Sequence, residues 1–156
     1  MARTDTVSRV IDASRERVFE ALVDPTALAA WLPPEGMTGR FEHVDVRPGG
    51  SYRMTLTYDD PPSDGGKSSS DTDIVEGRFT DIVSGERVVQ EADFTSDDPA
   101  FAGTMTMTWT VTDAGDGTRV EIRADDVPEG ISATDHAAGM NSSLDNLARF
   151  LAQQRP

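Results

Sequence analysis

Chemistry in this chain has few places to reside, because cysteine is absent and only two histidines occur. No disulfide, thiolate metal site or cysteine nucleophile can form, and a transition-metal site would need carboxylates gathered from distant strands, so no metal or cofactor is expected. His136 shares an apolar stripe with Met140, Leu144, Leu147 and Leu151 at helical spacing, where an imidazole could serve as acid, base or hydrogen-bond donor. A hydrogen bond fastening the first helical turn is its plainer use. His43, between Glu42 and Val44, has no evident partner and reads as structural. Gln90 is in phase with Val88, Ala92 and Phe94, so strand alternation points its amide inward among apolar neighbours. A buried amide must bond to backbone, water or ligand. The sequence lacks a G-x-S-x-G elbow, an H-E-x-x-H helix, a phosphate loop and a G-x-G-x-x-G fingerprint, so no nucleophile, base and orienting group can be named together. His136 is the single catalytic candidate, and a binding role ranks above an enzymatic one.

The elements that would position these residues follow from hydrophobic period. Thr6–Ile11 reads as a short strand. Ser14 then caps a helix whose apolar face is Val18, Phe19 and Leu22, and Asp24 with Pro25 opens a second short helix carrying Leu28, Trp31 and Leu32. Pro33 and Pro34 end it. The period then changes to two: Tyr52, Met54, Leu56 and Tyr58 alternate with Arg53, Thr55 and Thr57, behind a turn at Pro48–Gly50, with Phe41–Val46 as hairpin partner. Residues 59–73 are Pro, Ser, Gly and Asp without an apolar anchor and read as a mobile loop. Strands at Ile74–Val83 and Arg87–Phe94 follow. The clearest alternation runs from Thr104 to Val111, with Met105, Met107, Trp109 and Val111 on one face and threonines on the other; Val120, Ile122 and Ala124 return beside it. Ser132 with Asp135 opens a long amphipathic C-terminal helix. The sum is an α+β chain with an antiparallel sheet of about seven strands, two short helices and one long helix laid across the apolar face, all in a single domain over residues 1–156 with its core at about 6–151.

The chain's 156 residues are enough for one full core. Its 28 acidic and 14 basic residues give a net charge of −14, and the thirteen arginines and one lysine form no patch. Nucleic acid and anionic membranes are therefore excluded as partners. Much of the acid lies in turns and loops, as at Asp59, Asp60, Asp97, Asp98, Asp113 and Asp116. No apolar run approaches a membrane span and the first eleven residues hold no signal-like block, so a soluble, cytoplasmic protein is expected. Glu76, Arg78, Glu91 and Asp93 fall opposite the apolar set and read as solvated sheet exterior. Monomer and homodimer both stay open.

Several local patterns resemble one family. Phe19–Trp31 is similar to its helix, turn, proline and tryptophan segment; Val46–Met54 contains its RPGG turn; Gly77, Phe79, Asp81 and Ile82 with Glu86–Val89 resemble its next hairpin; Gly117–Val120 matches a G-T-r-l strand start. His136, Gly139, Met140, Leu144 and Leu147 resemble its H-x-x-G-W final helix, with Met140 in place of the usual tryptophan. The resemblance is to the helix-grip fold of the START, birch-pollen-allergen and polyketide-cyclase superfamily (SRPBCC), in the branch homologous to the ATPase activator of the ninety-kilodalton heat-shock chaperone. It implies a curved sheet with a cavity under the terminal helix. Strand alternation and the helical stripe nominate Tyr52, Met54, Leu56, Phe79, Met105, Met107, Trp109, Met140 and Leu144 as its walls, with Gln90 and Phe94 on the inward face of their strand. Trp31 and the 59–73 loop stand near the entrance, and His136 near the mouth. The first functional expectation is a small apolar or amphipathic ligand in this cavity. A chaperone-binding module and a cyclase- or hydrolase-type enzyme are the alternatives.

Overall fold

The computed structural model describes residues 3–33, 36–59, 72–94, 98–101 and 103–153, with Phe94 described by its backbone only. The elements run β1 (Asp5–Ile11), α1 (Arg15–Val23), α2 (Pro25–Trp31), β2 (Met37–Val44), β3 (Ser51–Tyr58), β4 (Thr72–Val83), β5 (Arg87–Phe94), β6 (Met105–Asp113), β7 (Thr118–Asp125) and α3 (Ala133–Gln153). A single 3₁₀ turn, Pro99–Phe101, lies between β5 and β6. The seven strands form one antiparallel sheet in the order β1-β7-β6-β5-β4-β3-β2. The α+β fold with a long terminal helix is thus as the sequence predicts, while most of the 59–73 loop falls outside the described residues.

The order has one consequence for function. β1 and β2 are neighbours in the chain but occupy opposite edges of the sheet, so α1 and α2 must carry the backbone across one sheet face. They cover it as they go: Val18, Phe19, Ala21 and Leu22 of α1 and Ala27, Leu28 and Trp31 of α2 are buried in the same cluster as sheet residues Tyr52, Phe79, Val88 and Trp109. The helix starts are set locally. Ser14 accepts from the Arg17 amide at 3.3 Å, and Asp24 accepts from the Thr26 amide at 3.1 Å with Pro25 in the first turn. β2 begins at Met37, four residues before the expected start, because Gly39 interrupts the alternation that period-reading depends on. Gly39 is where Pro33 lies against the strand: a Cβ there would come within 2.6 Å of the Pro33 ring. The register also shifts between Phe41 and His43, which blurs the pattern further.

The terminal helix α3 packs along β1 and against α1 and α2. It buries Met140, Ser143, Leu144, Leu147 and Leu151. Two of its polar side chains fasten the end of α2: Ser143 Oγ donates to the Leu32 carbonyl at 2.7 Å, and Asn146 Nδ2 donates to the Pro33 carbonyl at 2.8 Å. These carbonyls follow the last turn of a short helix and lack partners within it. On the other sheet face, Arg78 pairs with Glu91 at 3.1 Å and approaches Asp93 at 3.6 Å, while Arg53 joins Glu42 and Glu76. That face is the solvated exterior expected from alternation.

Candidate functional site

A small, partly open space lies where α1 and α2 cross the sheet. Leu22, Leu28, Trp31 and Leu32 wall it on the helix side, and Phe41, Tyr52, Phe79, Val88, Gln90 and Trp109 wall it on the sheet side. Its volume is about 20 Å³, room for roughly one water.

Each wall has a local cause. Trp31, the last residue of α2, is 1% exposed; its indole N–H donates to the Ala21 carbonyl at 3.0 Å, and its ring meets Trp109 edge-on at 5.4 Å and 73°. Phe79 is placed by the RPGG turn: the Gly49 amide donates to the Phe79 carbonyl at 2.7 Å and the Phe79 amide donates to the Gly50 carbonyl at 2.8 Å. Gly49 has φ +86, a left-handed conformation that glycine adopts without cost. Tyr52 stands beside Phe41 at 6.1 Å and 87° and beside Phe79 at 5.5 Å and 45°. Its ring lies over Gly77, its register partner, filling the position a side chain there would take. Burial, with the Asp93 charge adding to it, pushes the Tyr52 hydroxyl far above the usual tyrosine range, so near neutrality it is a donor and not a base. Tyr58, at the end of the same strand, is also pushed up, by burial and by donating to Asp73 at 2.6 Å.

Gln90 is the polar exception among the sheet's contributions to this wall. It is half-buried, opposite Phe79 on β4 and Met107 on β6. Among the described residues its carboxamide has no hydrogen-bond partner.

Five residues nominated from the sequence meet at this space: Trp31, Tyr52, Phe79, Gln90 and Trp109. Met54, Met105, Met140 and Leu144 are buried in the same core without lining it, and Leu56 and Met107 pack against that core. The Phe94 side chain lies outside the described residues. Leu22, Leu28, Leu32, Phe41 and Val88 were not nominated, although Leu22, Leu28 and Leu32 carry the helical stripe; what hides their role is that the helices facing the space are α1 and α2, where the resemblance implies the terminal helix.

His136 also stands elsewhere, in the first turn of α3. Its Nδ1 is 2.8 Å from Asp5 Oδ2 on β1, and Arg3 holds the same carboxylate through Nε and Nη2 at 3.1 Å while also donating to the Ile131 carbonyl. The His136 and Asp5 side chains are 12% and 10% exposed. This cluster ties the start of the chain to the start of α3, and it places the imidazole on a structural contact and not on the pocket wall. Burial is the largest single influence on the Asp5 carboxyl and opposes ionisation, but the hydrogen bonds from His136 and Arg3, with their charges, outweigh it and hold Asp5 below its ordinary 3.8. A depressed carboxylate pKa contributes stability that is complete above about pH 3.8 and is lost as pH falls through the lower folded value. Asp5→Asn is therefore expected to cost about 1–3 kcal/mol at pH 7, read from urea unfolding. The gap to the parent should narrow when the titration is repeated below pH 3.8; a gap that stays constant down to acid would remove the carboxylate's role.

Among the described residues no three metal-ligating side chains come together, and no helix is long and apolar enough to cross a membrane.

Known proteins share this geometry. A crystal structure from Chromobacterium violaceum is 32% identical over 95% of this chain and 96% of its own, with a TM-score of 0.82. The AHSA1 protein of Silicibacter pomeroyi is 20% identical, covering 98% of this chain and 100% of its own at a TM-score of 0.78. A Rhizobium leguminosarum protein is 22% identical over 99% and 97% at 0.76. The last two likenesses bear on the fold alone. No protein with a curated description matches. The sequence profile described as Activator of Hsp90 ATPase homolog 1-like protein matches residues 12–152, nearly the whole length described above, and the chain belongs to that family.

Proposed function

We propose that this chain binds a small, mostly apolar molecule carrying one hydrogen-bonding group, in the pocket between α1–α2 and the sheet. The unpartnered Gln90 carboxamide on an otherwise aromatic and aliphatic wall carries this reading. The carboxamide is half-buried and leaves its hydrogen-bonding capacity open to water or a ligand, at a position where leucine would fit the pattern. Apolar pockets use a few such polar groups to orient a ligand. With space for about one water, the pocket admits a ligand by moving its wall. The mobile candidate is α2, seven residues long and held at its end by the Ser143 and Asn146 side chains.

The two tryptophans of the chain, Trp31 and Trp109, both line this space, so intrinsic fluorescence reports on it without labels. Titration with aromatic ketones and alcohols should change the emission and raise the melting temperature, whereas hydrocarbons of the same shape should do so less. Gln90→Leu should abolish that preference. No response to any compound, or an unchanged preference in Gln90→Leu, would sink the proposal.

A second reading has its own support. The pocket between α1–α2 and the sheet has room for about one water, and the family relation points to a chaperone ATPase; both suit a module that works through its surface. In that case the chain should raise the ATPase rate of a ninety-kilodalton heat-shock chaperone most strongly at low salt, given its net charge of −14. An unaltered rate at low salt counts against it.

A further inference from the structure

A second concavity lies on the opposite side of α2. It is a groove of about 490 Å³ between α2, the edge strand β2 and the last turns of α3, lined by Ala30, Pro33, Met37, Asn146, Arg149 and Phe150, among others. The volume falls within the roughly 300–1,000 Å³ of small-molecule sites. Four of these six residues are apolar, and among the described residues the one charged side chain on the lining is Arg149.

Most of the described arginines are paired with carboxylates, and Arg149 is not. Acidic residues outnumber basic ones two to one, and Arg3, Arg9, Arg15, Arg47, Arg53, Arg78, Arg87 and Arg123 all hold carboxylates. Among the described residues Arg149 holds none, nor do Arg17, Arg40 and Arg119, of which Arg17 donates to the Leu151 carbonyl and Arg119 to the Ser8 hydroxyl. Its natural helical partner is Asp145, one turn earlier, but that carboxylate is taken by Arg9 of β1. Asn146 is likewise committed, to the Pro33 carbonyl at 2.8 Å, and Thr38 on the groove's β2 side approaches Asp59 at 3.3 Å. What remains is a guanidinium with its donors unspent beside a half-buried phenyl ring and the Met37 thioether. A planar guanidinium favours a carboxylate, which it can grip with two parallel hydrogen bonds.

We propose that this groove is a separate binding site for a small amphipathic carboxylate, with the anionic group on Arg149 and the apolar body along Phe150, Met37 and Ala30. The net charge of −14 opposes the approach of any anion, so binding rests on contact with Arg149 and not on long-range attraction.

The test is a titration of the isotope-labelled full chain with octanoate, followed by amide chemical shifts, with octanol and octylammonium as matched controls and inorganic phosphate as an anion without an apolar body. Octanoate should shift amides at Ala29–Ala30, Met37–Gly39 and Asn146–Gln153, and the controls should do so far less. Arg149→Gln, at an exposed position and thus with an unchanged melting temperature, should weaken octanoate at least about tenfold, while Gln90→Leu should leave it unaltered. Equal shifts with octanol or octylammonium, an unaffected Arg149→Gln, or perturbation confined to the Trp31 and Trp109 pocket would each overturn the assignment. Phosphate shifting the same amides as strongly as octanoate would reduce the site to an anion contact and overturn its amphipathic character.

Discussion

Trp31→Ala is expected to destabilise the protein by about 3–5 kcal/mol, the range for removing a fully buried large aromatic side chain. Three losses add up at this one position. The indole fills the junction between α2 and the sheet at 1% exposure, its N–H satisfies the Ala21 carbonyl of α1, and its ring supplies the edge contact to Trp109. Denaturant unfolding followed by far-ultraviolet circular dichroism measures the cost, since Trp109 alone remains as a fluorophore. Trp31→Phe should recover most of the packing but leave the Ala21 carbonyl without its donor, at about 1–3 kcal/mol. The same substitution tests the pocket. Alanine at 31 enlarges a space of about 20 Å³ by the volume of an indole, and an apolar hole of that kind stays dry and binds a matching small aromatic molecule. Added indole should therefore raise the melting temperature of Trp31→Ala and leave the parent unmoved. A variant that loses less than about 1 kcal/mol, or that ignores indole, would show that α2 simply collapses onto the sheet.

Gly77→Ala has the second large effect, although it adds a single methyl group. Gly77 pairs with Tyr52 across β3 and β4, and the tyrosine ring occupies the space a Cβ would need. The ring cannot easily yield, because Phe41 and Phe79 flank it. Overpacking of this kind costs about 1–3 kcal/mol. The displaced ring has the pocket beside it, so Gly77→Ala should also weaken whatever ligand the parent takes there, as read by tryptophan emission. Combining it with Tyr52→Leu separates the causes: if the clash is the whole effect, the double variant should be more stable than the sum of the two single losses predicts. Strict additivity would locate the cost in the backbone of β4.

The two predictions share a geometry that no stretch of sequence contains. Gly77 and Tyr52 are separated by the whole segment between β3 and β4, and β2 to β5 lie between Trp31 and Trp109 in the chain. Local signals were nonetheless strong. The caps at Ser14 and Asp24, the alternation of β3 and β6, the β5 span and the four- and three-residue spacing of α3 each depend on interactions within a few residues, and each element stands where its residues placed it. β2 was displaced because Gly39 contributes no side chain to the pattern and answers to Pro33 from another element.

Residue types and spacing by themselves determined the α+β class, the inward phase of Gln90 and the aromatic set Tyr52, Phe79 and Trp109, since a strand's period assigns faces without knowledge of neighbours. Only the tertiary structure decided which helices close the pocket. That follows from β1 and β2 lying on opposite edges, which sends α1 and α2 across the sheet face and leaves α3 along β1. It likewise decided the fate of the two most suggestive polar groups. His136 is drawn to Asp5 and Arg3, and Arg149 loses its helical partner to Arg9; ion pairing is settled by which charges the fold brings within reach, and sequence distance does not enter that choice.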